Sequence, residues 1–292
     1  GSTIKALTTF AGLKYGICDG NSSWYCTGFW TGFGEQYGMH CWLLSGHGTV
    51  NLITGITNSC DIVFYEIGKG FFYNNDHPEG MQETFRAFGL GALSGIDLPE
   101  EASGRVPDAE WKWNYFTSSP DDARKWQGGD NCNLAIGQGD LLVTCLQMAN
   151  AYCGIANRGP IYKPHVLKSI NARNGNGSVI EYKNEVILSP EEKDEHRDIV
   201  ARGLYGVVYE ESASQTIHWT NLDVTVNGKT GTAEQQSIGE PVGWFVGYAP
   251  ADKPQYVVAA NLDCAPSGAG SGMYIVRDVF GAIYNQPDNV GR

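Results

Sequence analysis

The sequence predicts one α+β domain, an antiparallel sheet flanked by helices, with a helical lobe across a cleft. Three observations carry this. Helical periodicity dominates the first two thirds, over residues 2–16, 49–68, 78–88, 136–159 and 190–209. Three β-type runs then follow one another, at 224–234, 243–248 and 255–262. A last helical pattern, with Val276, Val279, Phe280 and Ile283 facing inward, closes the chain after a Gly/Ser loop at 267–272. No internal repeat or linker divides it, so residues 1–292 read as one domain.

Composition narrows the function. With 292 residues, 42% hydrophobic and 18% charged, the chain can bury a sizeable core. A formal net charge of -12 with no Lys/Arg stripe argues against a nucleic-acid surface. No run of about 18 apolar residues and no signal peptide is present.

The first helix carries the chemistry. Gly1-Ser2-Thr3-Ile4-Lys5 opens a pattern in which Ala6, Leu7, Phe10, Ala11 and Leu13 form an apolar face to about Gly16. Positions three apart share a helix face, which sets the Lys5 amine beside the Ser2 hydroxyl. A serine hydroxyl needs such a base to become a nucleophile, and the first helical turn favours a developing alkoxide. Four residues alone also match a helix N-cap. Because the chain opens on this motif, the natural protein is expected to have more before it.

Residues 18–48, rich in Gly and aromatics, read as a long irregular loop. His47, between two glycines, reads as a ligand, a base or the fixer of a turn. The eight cysteines have no C-x-x-C pairing and no His cluster, which argues against a structural zinc site. A disulfide between Cys26 and Cys41, which bracket the loop, is left open. Cys60, Cys145 and Cys153 read as small buried apolar groups.

From residue 49 apolar positions recur at three and four to about residue 68. Ser59 and Asp61 lie inside this pattern, and on an unbroken helix they would point apart. Both reach one cleft only if the helix breaks near Asn58, giving two short helices with Ser59-Cys60-Asp61 at the joint. A helix follows over 78–88, then a loop-rich stretch to about 132 in which Glu100 and Glu101 read as solvated surface. Ile136-Gly137-Gln138-Gly139-Asp140 is taken as the opening of a strong helix ending near Gly159-Pro160, with Gln138 facing the cleft or serving a turn. Short strands with an Asn-Gly turn at 174–177 fill 160–188, and a helix runs from 190 to about 209.

The first of the three β runs carries Asn227-Gly228-Lys229-Thr230-Gly231-Thr232. A strand edge with a cation, two hydroxyls and a glycine suits a peptide ending in a carboxylate: Lys229 supplies charge, Thr230 and Thr232 donate, and Gly231 allows close approach. With Ser2-x-x-Lys5 before it and Ser59-Cys60-Asp61 between, this is the three-motif order of the penicillin-recognising serine enzymes.

The chain resembles the transpeptidase domain of class B, monofunctional penicillin-binding proteins nearly end to end. The resemblance includes Gly46-His47-Gly48, Gly95-Ile96-Asp97-Leu98 with Glu101 and Gly104, Gly137-Gln138-Gly139, Thr144 with Leu146-Gln147-Met148, Pro164-His165 and Trp244-Phe245-Val246-Gly247-Tyr248-Ala249-Pro250. It implies the penicillin-binding, serine β-lactamase-like fold, with Ser2 as acylated nucleophile, Lys5 as general base and Ser59 as proton relay. It further implies that Asp61, Lys229, Thr230, Gly231 and Thr232 bind substrate and that the Ser2 and Thr232 N–H groups hold the oxyanion. The implied partners are peptidoglycan stem peptides, β-lactams and, for the full-length protein, a membrane glycosyltransferase of the elongation machinery. The implied site of action is the outer face of the bacterial cell membrane, with no cofactor, metal or nucleic acid. The family's middle motif usually ends in Asn, and Asp61 resembles the elongation-type branch, penicillin-binding protein 2. A serine β-lactamase is the rival, but the class A Glu-x-x-Leu-Asn element is missing. A non-enzymatic β-lactam receptor is another rival, and a carboxypeptidase stays chemically close.

Overall fold

Helix α1, Lys5–Lys14, preceded by a 3-10 turn at Ser2–Ile4, is buried on almost every side, all residues from Lys5 to Leu13 being inaccessible. A helix this enclosed acts as the spine of a domain. Thr8 donates to the Ala135 carbonyl and the Tyr152 hydroxyl to that of Thr3, so both ends of the Ser2-to-Thr8 segment are pinned from other elements. Gly16, at φ +68°, ends the helical run in the left-handed region that glycine enters freely. The computed structural model describes residues 1–173, 177–211, 219–234, 239–265 and 269–284.

Residues 18–48 are more ordered than expected. Strand β1 (Ser23–Cys26) pairs antiparallel with β4 (Gly48–Asn51), and inside that ribbon β2 (Phe29–Trp30) pairs with β3 (Met39–His40). These strands are too short to show an alternating pattern, and their register sets Cys26 opposite Gly48.

The expected break near Asn58 is present. Helix α2 (Leu52–Thr57) starts at an Asn51/Thr54 capping box and α3 (Asp61–Phe72) starts one residue after Cys60. Between them Ser59 sits at φ +51°, a left-handed conformation that costs a non-glycine residue about 1 kcal/mol. Ser59→Gly is expected to raise the unfolding free energy by about that amount while losing the hydroxyl from the site. Denaturant titration beside an acylation assay checks both.

After α4 (Gly80–Ala87), the stretch read as loop holds α5 (Ala109–Tyr115), α6 (Asp121–Arg124) and α7 (Gly128–Ala135). The first two bury no residue, so they carry no hydrophobic stripe to read; Asp108 instead caps α5 by accepting from the Trp111 N–H at 2.7 Å. The next helix starts late: α8 is Cys145–Ala156, opened by a Thr144/Gln147 capping box, because Gly137 and Gly139 at φ +74° and +71° hold 136–140 in turns.

Strands β5 (Ile161–Tyr162) and β8 (Val186–Leu188) pair, as do β6 (Ser169–Asn171) and β7 (Ser178–Glu181); the predicted turn at 174–177 lies largely outside the described residues. Helix α9 is Asp194–Tyr209 rather than starting at 190, because the Arg197 guanidinium takes the carbonyls of Pro190 and Glu192.

The main sheet is β9 (Asn227–Ala233), β10 (Val242–Ala249) and β11 (Tyr256–Leu262), antiparallel in the order β11-β10-β9. All of β10 is buried: Trp244, Val246 and Tyr248 join the core around α1, while Phe245 and Ala249 join the core under α10 (Ala269–Ile283). Of the expected loop at 267–272, residues 267 and 268 lie outside the described residues and the rest is helix from Ala269: a methyl on Gly272 would sit 2.9 Å from the Phe245 nitrogen, so only small residues let α10 press on β10. Val276 and Phe280 point inward as expected, whereas Val279 is 38% exposed.

Candidate active site

Three chain segments converge where β9, an edge strand in the three-stranded sheet, faces the start of α1. A methyl built on Gly231 would meet the Thr3 nitrogen at 3.1 Å, and one on Gly1 would meet the Thr232 carbonyl oxygen at 2.7 Å. The Ser2 turn and the Lys229–Thr232 edge are therefore in backbone contact. The absence of side chains at both glycines permits it.

Lys5 is wholly buried, and its ammonium donates to the Ser59 carbonyl at 2.8 Å, the Ser59 hydroxyl at 3.2 Å and Asp61 Oδ1 at 2.7 Å. The left-handed turn at Ser59 is what lets Ser59 and Asp61 both address one amine. The other Asp61 oxygen accepts from the Trp42 backbone N–H at 2.8 Å, and the Trp42 indole donates to the Asn58 carbonyl at 2.9 Å. The residue after Cys41 thus braces both sides of the middle motif. The sequence reading did not single out Trp42, since a backbone donor has no residue signature.

Lys229 is also fully buried, its amine against the Thr230 carbonyl at 3.2 Å and hydroxyl at 3.3 Å. Burial first, and then the nearby Lys5 charge, push the Lys229 pKa well below its ordinary value. The sign follows: the unfolded chain keeps a proton there that the fold tends to release, so this residue costs stability, and the cost is relieved as pH rises towards its unfolded value. Lys229→Met is expected to raise stability by about 1 kcal/mol, roughly 2–4 °C in thermal midpoint. The same change should flatten the alkaline part of the stability profile and lower acylation at least about 100-fold. Thermal melts against pH check the first two, and an unshifted midpoint contradicts the burial argument.

Gln138 faces the strand rather than only serving a turn. Its amide donates to the Thr232 carbonyl at 3.1 Å and accepts from the Glu234 N–H at 3.2 Å, tying the Gly137–Gly139 turn to the end of β9.

A further group was missed. Cys26, Cys41, His47 and Cys60 place their ligand atoms within 4.8 Å of one another, correcting the expectation that no His and Cys residues gather to hold a metal. Cys26 and Cys41 are free thiols rather than a disulfide, with sulfurs 3.5 and 3.6 Å from His47 Nδ1. In a tetrahedral zinc site with Zn–S of about 2.3 Å and Zn–N of about 2.05 Å, the S···N edge is about 3.6 Å. The spacing fits. Among the described residues His47 Nε2 is buried without a hydrogen-bond partner, so its ring is held by the sulfur side. A hydrogen bond shared by the Cys41 and Cys60 sulfurs draws the Cys41 pKa downward and pushes that of Cys60 up, so a metal bound here would have to displace the Cys60 proton. Three thiolates and an imidazole form a closed structural donor set rather than an open catalytic one. Spacings of 15, 6 and 13 residues match no local pattern; the pairing of β1 with β4 brings Cys26 to His47, the inner ribbon and the Cys41 N–H on the Gly28 carbonyl at 2.9 Å bring Cys41, and the break before α3 brings Cys60.

Residues 1–285 match the family described as the penicillin binding protein transpeptidase domain. The chain is 31% identical to the peptidoglycan D,D-transpeptidase MrdA of Acinetobacter baumannii over 96% of its own length and 41% of that protein's. It therefore spans less than half of that relative. It superposes on Pseudomonas aeruginosa PBP2 in complex with WCK 5153 with a TM-score of 0.82 and 26% identity, covering 97% of this chain and 58% of the other. It is also similar in fold to PBP2 in a complex with MreC from Helicobacter pylori, with a TM-score of 0.79 and 24% identity, over 98% of this chain and 49% of the other.

Proposed function

The chain belongs to the penicillin binding protein transpeptidase domain family, and on that premise we propose that it is a peptidoglycan D,D-transpeptidase acting through an acyl-serine. The observation that carries this is the convergence on one edge strand of Ser2, the Lys5–Ser59–Asp61 group and Lys229.

Ser2 attacks the carbonyl between the two D-alanines of a stem peptide. The oxyanion lies against the Ser2 and Thr232 N–H groups, an arrangement that lowers such barriers by about 3–4 kcal/mol per donor. Lys229, Thr230 and Thr232 receive the terminal carboxylate, and its arrival returns a counter-charge to the buried Lys229 amine. Lys5 as an ammonium has no lone pair. It must first pass a proton, and the base at hand is Asp61 Oδ1 at 2.7 Å, while the Ser59 hydroxyl at 3.2 Å can serve only as a relay that gives up its own proton as it takes one. Ser59 then carries a proton to the leaving D-Ala amine. An amine from a second stem takes the acyl group and leaves a cross-link. A β-lactam imitates the donor and stays on Ser2. Asp61 in place of Asn and the likeness to MrdA support the elongation branch. The complex of PBP2 with MreC from Helicobacter pylori supports a partner of the MreC kind for the full-length protein, beside a membrane glycosyltransferase of the elongation machinery. No helix among the described residues is long and apolar enough to cross a membrane.

Labelled penicillin followed by intact mass tests this. A stable one-to-one adduct on Ser2, absent in Ser2→Ala, is expected; rapid return to the free mass means a β-lactamase instead, and labelling that survives Ser2→Ala refutes the nucleophile.

A further inference from the structure

A cavity of about 900 Å³ holds none of the residues assigned to the reaction. Its wall joins residues 101–106 to Leu142, Val143 and Thr144, with Arg86 and Trp111 beside them. Arg105 and Leu142 exchange backbone hydrogen bonds at 2.7 and 3.0 Å, which fixes the two halves of this wall to each other. The Arg105 guanidinium has little freedom: its Nε donates to the Asp140 carbonyl at 2.8 Å, and it lies 4.3 Å from the Trp111 ring centre and 5.4 Å from that of Tyr115. Those two rings stack on each other. Nη1 and Nη2 have no hydrogen-bond partner among the described residues. The other charges of the wall are already engaged. Arg86 holds Asp108 and the Val106 carbonyl, and Glu101 accepts from the Ser94 and Gly95 N–H groups at 2.8 and 3.0 Å. Arg105 is thus a planar, two-pronged cation fixed on an aromatic bed. Such an edge takes both oxygens of a carboxylate at once. The first turn of α8, capped by Thr144 in the same wall, adds to the preference for an anion.

We propose that this cavity is a subsite for the free carboxylate of an acidic residue inside a peptidoglycan stem peptide. It rests on the transpeptidase reading above, which makes a stem the substrate. The reach agrees. Gln138 touches the Thr232 carbonyl at the end of β9, and Leu142 follows four residues later, at most about 14 Å away. A five-residue stem drawn out spans about 17 Å. A stem whose terminal D-alanines lie on β9 therefore has the length to set an inner carboxylate on Arg105. A D-glutamate linked through its γ-carboxyl offers one, because its α-carboxylate stays outside the peptide chain. The contact is far from the reacting carbonyl and is made equally before and during attack, so it acts on KM and leaves kcat nearly unchanged.

The test compares N-acetyl-L-Ala-γ-D-Glu-L-Lys-D-Ala-D-Ala with its α-carboxamide analogue, by equilibrium binding to the full chain carrying Ser2→Ala, which turns neither over. The carboxylate form is expected to bind at least about tenfold tighter, as one charge-assisted pair implies. Arg105→Gln should bring the ratio to about one, and Arg105→Lys, which keeps the charge without the fork, should retain part of it. Leu142 is 53% exposed, so Leu142→Trp can narrow the cavity with Arg105 in place, and it too should lower the ratio. On a chain with Ser2 present, these changes should leave penicillin labelling within about twofold of native, and in turnover the carboxylate preference should lie in KM. A ratio near one with Arg105 intact overturns the proposal, as does binding of neither peptide by a chain that takes the label. So does a ratio that survives both Arg105→Gln and Leu142→Trp. Native protein that takes no penicillin label contradicts the acyl-serine reading instead, while the ratio between the two peptides still judges the cavity.

Discussion

Replacing Lys5 with Ala is expected to slow labelling by penicillin about 10²–10⁴-fold, the range that removing a positioned general base produces. The same change strips Asp61, only 8% exposed, of its cation. Breaking a buried pair by removing one partner destabilises by about 3–5 kcal/mol, because the remaining charge has neither water nor counter-charge. Here the Trp42 N–H still serves one Asp61 oxygen, so the lower end applies. The thermal midpoint should then fall by roughly 10 °C for a chain of this size. A Lys5→Met/Asp61→Asn double variant separates the two effects: with no charge left to strand, the midpoint should recover most of that loss, while labelling should stay slow. Labelling of Lys5→Ala at an undiminished rate would remove Lys5 from the chemistry altogether.

Metal removal has the second largest expected effect. Reduced protein should carry close to one zinc per chain, and a strong chelator should destabilise it by about 4 kcal/mol relative to a thousandfold excess of zinc over its dissociation constant. That is again roughly 10 °C. Because Cys60 lies inside the middle motif, the stripped protein should also acylate more slowly, and zinc should restore both midpoint and rate. Cys60→Ser should lower zinc affinity by an order of magnitude or more, read by competition with a chelating dye. A reduced protein that neither contains zinc nor changes its midpoint when zinc is added is incompatible with the centre.

Several features were legible because they depend on short stretches. The buried face of α1 could be read from Ala6, Leu7, Phe10 and Ala11, and the three β runs from their apolar density. The break at Asn58 followed from a geometric demand: Ser59 and Asp61 cannot face one cleft on a continuous helix. Other features depended on signals that local reading lacks. Helices α5 and α6 bury nothing, so no periodic stripe marks them. The run Ile136–Asp140 looks like a helix start, yet two left-handed glycines and the Thr144 capping box move the start to Cys145. The Gly/Ser run before α10 looks like a loop, yet its small residues are the helix surface that touches β10.

By itself the sequence determined the chemistry in stock: a serine with a lysine three residues on, a Ser-Cys-Asp joint, and a cationic, hydroxyl-bearing strand, in an order that belongs to one family. Only the tertiary structure decided which groups address which. The register of β1 with β4, the left-handed turn at Ser59 and the backbone N–H of Trp42 draw Cys26, Cys41, His47 and Cys60 into one group braced against Asp61. The physical reason is that these contacts join residues many positions apart through backbone atoms and strand register, for which no residue type or spacing along the chain is diagnostic.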